Sequence, residues 1–302
     1  MFDGCLIIDK PEDWTSHDVV GKLRKILRTK RIGHTGTLDP FATGVLVALV
    51  GKATRLAQFL DKDAKEYEAE IAFGFETDTG DRTGSPKSEV RSRKSVNVED
   101  LENILPEFRG EILQTPPMYS AKKVEGKKLY ELARKGIEIE REPVRIKIYE
   151  LELLKDSRHS ALGIQHFTLR VACSAGTYIR TLAEDIGKRL ETGAHLAELR
   201  RTKAGKFDLS KAVTLEELEK IVAENRIGET TISMNEAISH LPEIVLSEEE
   251  IAKTRNGQKL KRENLAARDD ENVRIIDGSE NLFAVGIFNQ AEKTIQPKIV
   301  LM

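Results

Sequence analysis

Apolar and polar residues alternate with a period of two along several stretches, most plainly at Tyr67, Ala69, Ile71 and Phe73, over residues 144–154 and over residues 164–172. That period sends successive side chains to opposite faces, so each stretch predicts a half-buried strand. Residues 5–9, closed by Lys10-Pro11, and the apolar run 45–50 predict two more. Helical spacing appears at Val19, Val20, Leu23, Ile26 and Leu27, behind a cap at Thr15 or Ser16, with basic residues on the other face. Residues 53–60, residues 98–105 after Asn97, and residues 177–190, entered through Gly176, predict further helices.

Between these elements the pattern breaks down in informative places. Residues 33–44, Gly-His-Thr-Gly-Thr-Leu-Asp-Pro-Phe-Ala-Thr-Gly, are too rich in Gly, Thr and Pro for a helix interior and predict a shaped loop set against the strand that follows. Residues 74–93 are polar and rich in turn formers. Residues 114–142 combine Pro116-Pro117, basic charge and a helical patch at 129–133, and read as an excursion from the core. After Ile221 the composition shifts, and the short apolar runs 273–276, 283–288 and 298–301 suggest a small β-rich domain of about 60 residues, a size at which independent folding is marginal. The expectation is an α+β fold: a mixed, largely antiparallel sheet with flanking helices over residues 1–230, then a β-rich domain over 245–302.

The chain has 302 residues, 39% hydrophobic and 32% charged, enough apolar material for a core beneath a charged surface. No run approaches the roughly 18 apolar residues of a membrane span. The first residues carry acids where a secretory signal carries basic ones, so the cytoplasm is the expected compartment. Cys5 and Cys173 lie far apart, outside any CxxC pattern, and read as core residues. The net charge is −2, but its distribution is uneven. Lys22, Arg24, Lys25, Arg28, Lys30 and Arg31 form one basic run without an acid, and Lys122, Lys123, Lys127, Lys128, Arg134 and Lys135 belong to a second. Arg200, Arg201, Lys203 and Lys206 form a third. Single runs of this kind are ordinarily solvated faces, whereas several near candidate motifs suit a polyanionic partner.

Three glycines in the 33–44 loop permit close backbone approach to a ligand, and Pro40 biases Asp39 toward extended backbone. A carboxylate held there can face a cleft; a lone Asp-Pro can equally just close a turn. A Walker A loop is excluded, because Gly44 and Gly51-Lys52 are wrongly spaced and Ala53 stands where a hydroxyl is required. The histidines at 17, 34, 159, 166, 195 and 240 form neither HExxH nor a Cys/His cluster, so no metal site is expected.

Four segments, GHTGTLDPFATGVL from residue 33, KEY at 65–67, GTYIRTLAEDIG at 176–187 and HLAELRR at 195–201, occur in an order that resembles the TruB family of tRNA pseudouridine synthases, over most of residues 1–210. The tail, with NGQKL at 256–260, more diffusely resembles a PUA-type RNA-binding domain. The resemblance implies isomerisation of a uridine in the T arm of tRNA, conventionally position 55, without cofactor; the basic excursion favours stand-alone binding with no obligatory protein partner, and a monomer is the default expectation. It implies that Asp39 is the nucleophile and Arg180 its partner, and that Tyr67 stacks on an extruded uracil and is placed to help remove its C5 proton. Tyr178 and Leu199 become pocket walls, and His34 fills the space the flipped nucleotide leaves. Lys22, Arg24, Lys25, Arg28, Lys30, Arg31, Lys122, Lys123, Lys127 and Lys128 become contacts to the RNA backbone, the last four on an insertion over about 114–142 that folds over the T arm. Two rivals share these residues: a guide-RNA-dependent enzyme of dyskerin type, and an RNA-binding or remodelling protein with secondary catalysis.

Overall fold

The computed structural model describes residues 2–91, 95–120, 123–124, 126–133, 135–157 and 165–301. Strand β1 (Gly4–Lys10) leads into helix α1 (Ser16–Ile26). Thr15 is the cap: its hydroxyl accepts from the Asp18 N–H, and the Asp18 carboxylate accepts from the Thr15 N–H. β2 (Ile32–Thr35) and β3 (Thr43–Val50) then bracket the glycine-rich segment. The loop is therefore shorter than its composition suggests. Residues 33–35 are strand because β2 pairs along the part of β3 beyond Gly44, where β12 gives β3 no partner.

The helix expected over 53–60 is a 3-10 turn, Gly51–Leu56, continuing as one turn of α-helix, α2 (Ala57–Leu60). β4 (Lys65–Phe73) follows, then a hairpin of β5 (Phe75–Thr77) and β6 (Pro86–Arg91) inside the polar stretch, then α3 (Val98–Ile104) capped by Asn97. β7 (Gly110–Gln114) precedes the excursion, in which β8 (Lys123–Val124), β9 (Lys127–Lys128) and α4 (Leu129–Ala133) are described. β10 (Val144–Ser157), β11 (Gln165–Cys173), α5 (Ile179–Arg189), β12 (Ala194–Ala204), β13 (Phe207–Asp208), α6 (Leu215–Ala223) and α7 (Met234–Ala237) complete the first part.

These strands form a nine-stranded sheet in the order β1-β3-β12-β4-β11-β10-β7, with β13 beside β12 and β2 beside β3. Its pairings are antiparallel except where β12 meets β3. The α+β expectation therefore holds, with a mixed sheet whose one parallel strand pairing among the described residues falls beside the glycine-rich loop. On one face Tyr67, Ile71 and Phe73 meet Phe167, Leu169, Leu182 and Leu199 in a core beneath α3 and α5. Phe73 and Phe167 pack edge to face, with centroids 5.7 Å apart. The intervening residues Glu66, Glu68 and Glu70 point to the other face, where Glu68 lies between Arg170 and Arg200 in register.

The C-terminal part carries β14 (Glu243–Val245), α8 (Glu248–Arg255), β15 (Leu260–Lys261), β16 (Asn272–Ile276), β17 (Leu282–Asn289) and β18 (Thr294–Val300). They form a five-stranded sheet, β14-β16-β17-β18-β15. One side has its own core around Phe283, Phe288 and Ile295. The other side joins Leu56, Leu60 and Ile238 through Ile276, Leu282, Val285, Ile299 and Leu301, so the two sheets share a hydrophobic cluster. Among the described residues no helix is long and apolar enough to cross a membrane.

Candidate active site

Asp39 lies between β2 and β3 on a segment tied down from three sides. Ser16, the first residue of α1, donates from its hydroxyl to the Leu38 carbonyl and accepts from the Leu38 N–H at 2.9 Å. Lys10, at the end of β1, is fully buried and donates to the carbonyls of Pro11 (2.8 Å), Trp14 (2.5 Å) and Pro40 (2.9 Å). Burial pulls its pKa down to about 8, against the nearby charges of Asp13 and Asp39. From below, Arg201 donates to the Gly36 and Val45 carbonyls at 2.9 and 2.6 Å. Gly44, at φ +98°, lets β12 approach this closely: a Cβ there would lie 2.2 Å from the Arg201 carbonyl oxygen.

Arg180 reaches Asp39 from the first turn of α5. Its Nε is 2.9 Å from one carboxylate oxygen and its Nη2 is 3.1 Å from the other, a two-point grip that fixes the carboxylate plane. The guanidinium is itself held, since Nη1 donates to the Thr79 carbonyl at 2.9 Å and Nη2 to the Tyr119 carbonyl at 2.7 Å. Asp81, in the turn of the β5–β6 hairpin, stands 3.8 Å from Nη1. Its other oxygen accepts from the Thr79 hydroxyl and from the Thr83 hydroxyl and N–H, at 2.6–2.9 Å. The Arg180 side chain is 6% exposed and that of Asp39 is 33% exposed, so the carboxylate is reachable while its partner is sealed. Burial pushes the Asp39 carboxyl above its ordinary value; Arg180 opposes this, Asp81 adds to it and Lys10 opposes it. The start of α5 is anchored by Gln114 of β7, whose amide donates to the Tyr178 carbonyl at 3.0 Å and accepts from the Tyr178 N–H at 2.8 Å.

Tyr67 lies on β4 with its ring in the main core and 8% of the residue exposed. Burial raises its pKa; Arg201 opposes that rise and Asp39 reinforces it. Leu199, 6% exposed, belongs to the same cluster as Tyr67 and Leu38. Tyr178 caps α5, half-buried. His34, on β2, has a buried Nδ1 without a partner, and burial followed by the Arg201 charge lowers its pKa, which favours neutral imidazole. The first basic run divides: Lys22 pairs with Glu219, Arg24 donates to the Ile32 carbonyl at 3.2 Å, and Lys25, Arg28, Lys30 and Arg31 are exposed. Lys122, and the side chains of Lys123, Lys127 and Lys128, lie outside the described part of the structure.

The structure thus brings Asp39, Arg180, Tyr67 and Leu199 together, and adds residues that sequence reading had passed over. Arg201 read as part of a basic run and is instead 1% exposed. Asp81 read as one acid in a polar stretch; its setting, Thr-Gly-Asp-Arg-Thr-Gly, repeats the Thr/Gly flanking of Asp39 and was a usable signal. Lys10 was legible only as a lysine closing an apolar strand before proline.

Residues 24–179 match the N-terminal domain of the TruB family pseudouridylate synthases, and residues 180–251 match the tRNA pseudouridylate synthase B C-terminal domain. The chain is 49% identical over 256 residues to the tRNA pseudouridine synthase B of Solibacter usitatus, covering 85% of each chain. It is 48% identical over 263 residues to that of Bacillus cytotoxicus, covering 86% of this chain and 85% of the relative. Among solved structures it resembles a chain of the archaeal box H/ACA sRNP Nop10-Cbf5 complex, with TM-score 0.74, 27% identity and 99% and 86% of the two chains covered. A chain of a Cbf5-Nop10-Gar1 complex gives TM-score 0.76, 29% identity and coverage of 99% and 85%. Fold and sequence together place the protein among the pseudouridylate synthases. Within that class the chain belongs to the TruB family.

Proposed function

We propose that the protein is a tRNA pseudouridine synthase that isomerises uridine 55 in the T arm, acting as a cytoplasmic monomer with no obligatory protein partner and no cofactor. The bond between uracil N1 and ribose C1′ breaks, the base turns, a bond from C5 to C1′ replaces it, C5 gives up its proton and N1 gains one, so the reaction is an isomerisation with no net redox change. Asp39 is the nucleophile, ionised and aimed by Arg180. Tyr67 stacks on the extruded uracil and stands near its C5 proton, with Tyr178 and Leu199 as walls. His34 occupies the vacated space in the RNA loop, a role suited to a neutral, partly buried ring. Lys22, Arg24, Lys25, Arg28, Lys30 and Arg31, with Lys122, Lys123, Lys127 and Lys128 on the insertion, contact the RNA backbone. Residues 245–302 act as a PUA-like RNA-binding domain beside the catalytic domain of 1–230.

The observation that carries this reading is the two-point grip of a sealed Arg180 on a reachable Asp39, in a chain 49% identical to a tRNA pseudouridine synthase B. Such a grip places a carboxylate where binding alone would not require one. The test is tritium release from T-arm RNA labelled at uracil C5, with wild type and Asp39→Asn and no added protein or guide. Release by wild type alone, with both proteins binding the RNA, is expected. Bound RNA with no release by either would sink the reading in favour of a guide-dependent enzyme or a binding protein.

A further inference from the structure

Among the described residues Arg201 is the largest fully buried side chain, at 1% exposure. Withdrawing a guanidinium from water costs several kcal/mol unless its surroundings replace the lost solvation. Here, among the described residues, its hydrogen bonds go to two carbonyls and to no carboxylate. A permanent charge kept without a counter-ion calls for a reason, and its position supplies one. The Gly36 and Val45 carbonyls lie on either side of Asp39, so one planar group grips both ends of the segment that carries the nucleophile. Gly36, at φ +63°, leaves room for it: a Cβ there would stand 3.2 Å from Nη1.

Tyr67 faces Arg201 across the sheet. Arg201 on β12 and Tyr67 on β4 are directly opposed cross-strand partners, both buried, so their Cβ atoms lie about 4.5–5.5 Å apart on one face. Arg carries only donors. A phenol turned toward it must accept through oxygen, which leaves the phenolic proton to point elsewhere. The charges of Arg201 and Asp39 act on the hydroxyl in opposite senses, the first lowering and the second raising its pKa.

We propose that Arg201 is a positioning residue of the reaction, clamping the Asp39 segment through Gly36 and Val45 and fixing the direction in which the Tyr67 hydroxyl hydrogen-bonds. This rests on the pseudouridine synthase reading above and assigns no contact with substrate. Lysine keeps the charge but cannot donate along two fixed directions in a plane, so it is an incomplete substitute.

The test reads Tyr67 directly in RNA-free protein, with tyrosines isotopically labelled at Cζ and the Tyr67 signal assigned through Tyr67→Phe. In Arg201→Met that signal moves at neutral pH and its titration shifts upward; in Arg201→Lys it moves in the same sense by less. On T-arm RNA, kcat falls about 100-fold in Arg201→Met, the scale of a misplaced reacting group, while RNA affinity stays within about twofold. If Arg201→Met fails to fold, Arg201→Lys decides, alone and combined with Tyr67→Phe: a rate loss that shrinks in the Tyr67→Phe background, with the remainder due to the Asp39 clamp, supports the proposal, and an equal loss overturns it. An unmoved Tyr67 signal in the folded variants overturns it whatever the rates do. The resonance needs no turnover, so it stands apart from a failure of wild type to release tritium, which bears on the functional reading alone.

Discussion

As the proposed nucleophile, Asp39 is under opposing demands, because its carboxylate has to be charged and a shielded one is costly to charge. Its pKa lies above the ordinary carboxylate value, burial outweighing the attraction of Arg180. The consequence for stability has a definite sign. An unfolded Asp titrates near 3.9, so between about that pH and the folded pKa the native state binds more protons, and stability falls as pH rises through that window. At neutral pH the full cost is present. Asp39→Asn, a neutral isostere, is therefore expected to raise Tm by about 2 °C at neutral pH while abolishing turnover, the difference closing as pH drops below the ordinary carboxylate range. Thermal melts of both proteins across the acid range check this; a lower Tm for the variant at neutral pH would show the ion pair to be net stabilising. The same shift places the acid limb of the wild-type rate profile above the pH of an ordinary aspartate.

At the scale of elements, the reach of Arg180 depends on where α5 begins, and Gln114 sets that start. Its buried amide satisfies both the N–H and the carbonyl of Tyr178 from the far edge of the sheet. Gln114→Ala leaves both groups without that partner, at a cost of about 1–3 kcal/mol for each one that stays dry. Urea unfolding should show a loss in that range, with kcat falling more than RNA affinity because the Asp39 grip loosens while the RNA surface stays intact. This anchor was not legible in the sequence, where Gln114 stood only at the edge of a proline-rich excursion. Elements with an unbroken period were legible: the alternation from Tyr67 to Phe73 became β4, and the Val273 run became β16. β12 was not read as a strand, although it lies between β3 and β4 and carries both Leu199 and Arg201. Its register shifts twice, between Leu196 and Glu198 and again between Arg201 and Lys203, and each shift breaks the alternation that marks a strand. The second shift lies beside Arg201, whose charge then read as surface. Asp39 and Arg180 were singled out because motif resemblance does not depend on period, whereas Asp81 and Lys10 make contacts that only the folded chain creates.

For the whole molecule, the relation between the two sheets decides what the C-terminal part does. Composition suggested a small β-rich domain of a size at which independent folding is possible but marginal, and its own core around Phe283 and Ile295 favours such independence. Its other face does not, because Ile276, Leu282, Val285, Ile299 and Leu301 pack with Leu56, Leu60 and Ile238 of the first part. Polar contacts follow the same seam: Arg55 donates to the Val300 carbonyl, Asn235 to the Glu280 carbonyl at 3.1 Å, and Arg274 to the Leu241 carbonyl at 3.0 Å. The α2 segment leads directly into β4 and so into Tyr67, which makes this seam a support of the site as well as a joint. Each large apolar side chain uncovered costs roughly 1.5–3 kcal/mol of burial, and overall stability is only about 5–15 kcal/mol, so baring the first-part side of the seam removes a large share of it. A chain ending at Pro242 is therefore expected to melt at least about 10 °C below the full chain, or to aggregate through the exposed patch, and to lose turnover even at saturating RNA. Differential scanning calorimetry with single-turnover rates at saturating T-arm RNA separates this from a simple affinity module. A truncated chain with unchanged Tm and unchanged saturated rate, weaker only in RNA binding, would show that the shared cluster contributes nothing to holding the active site.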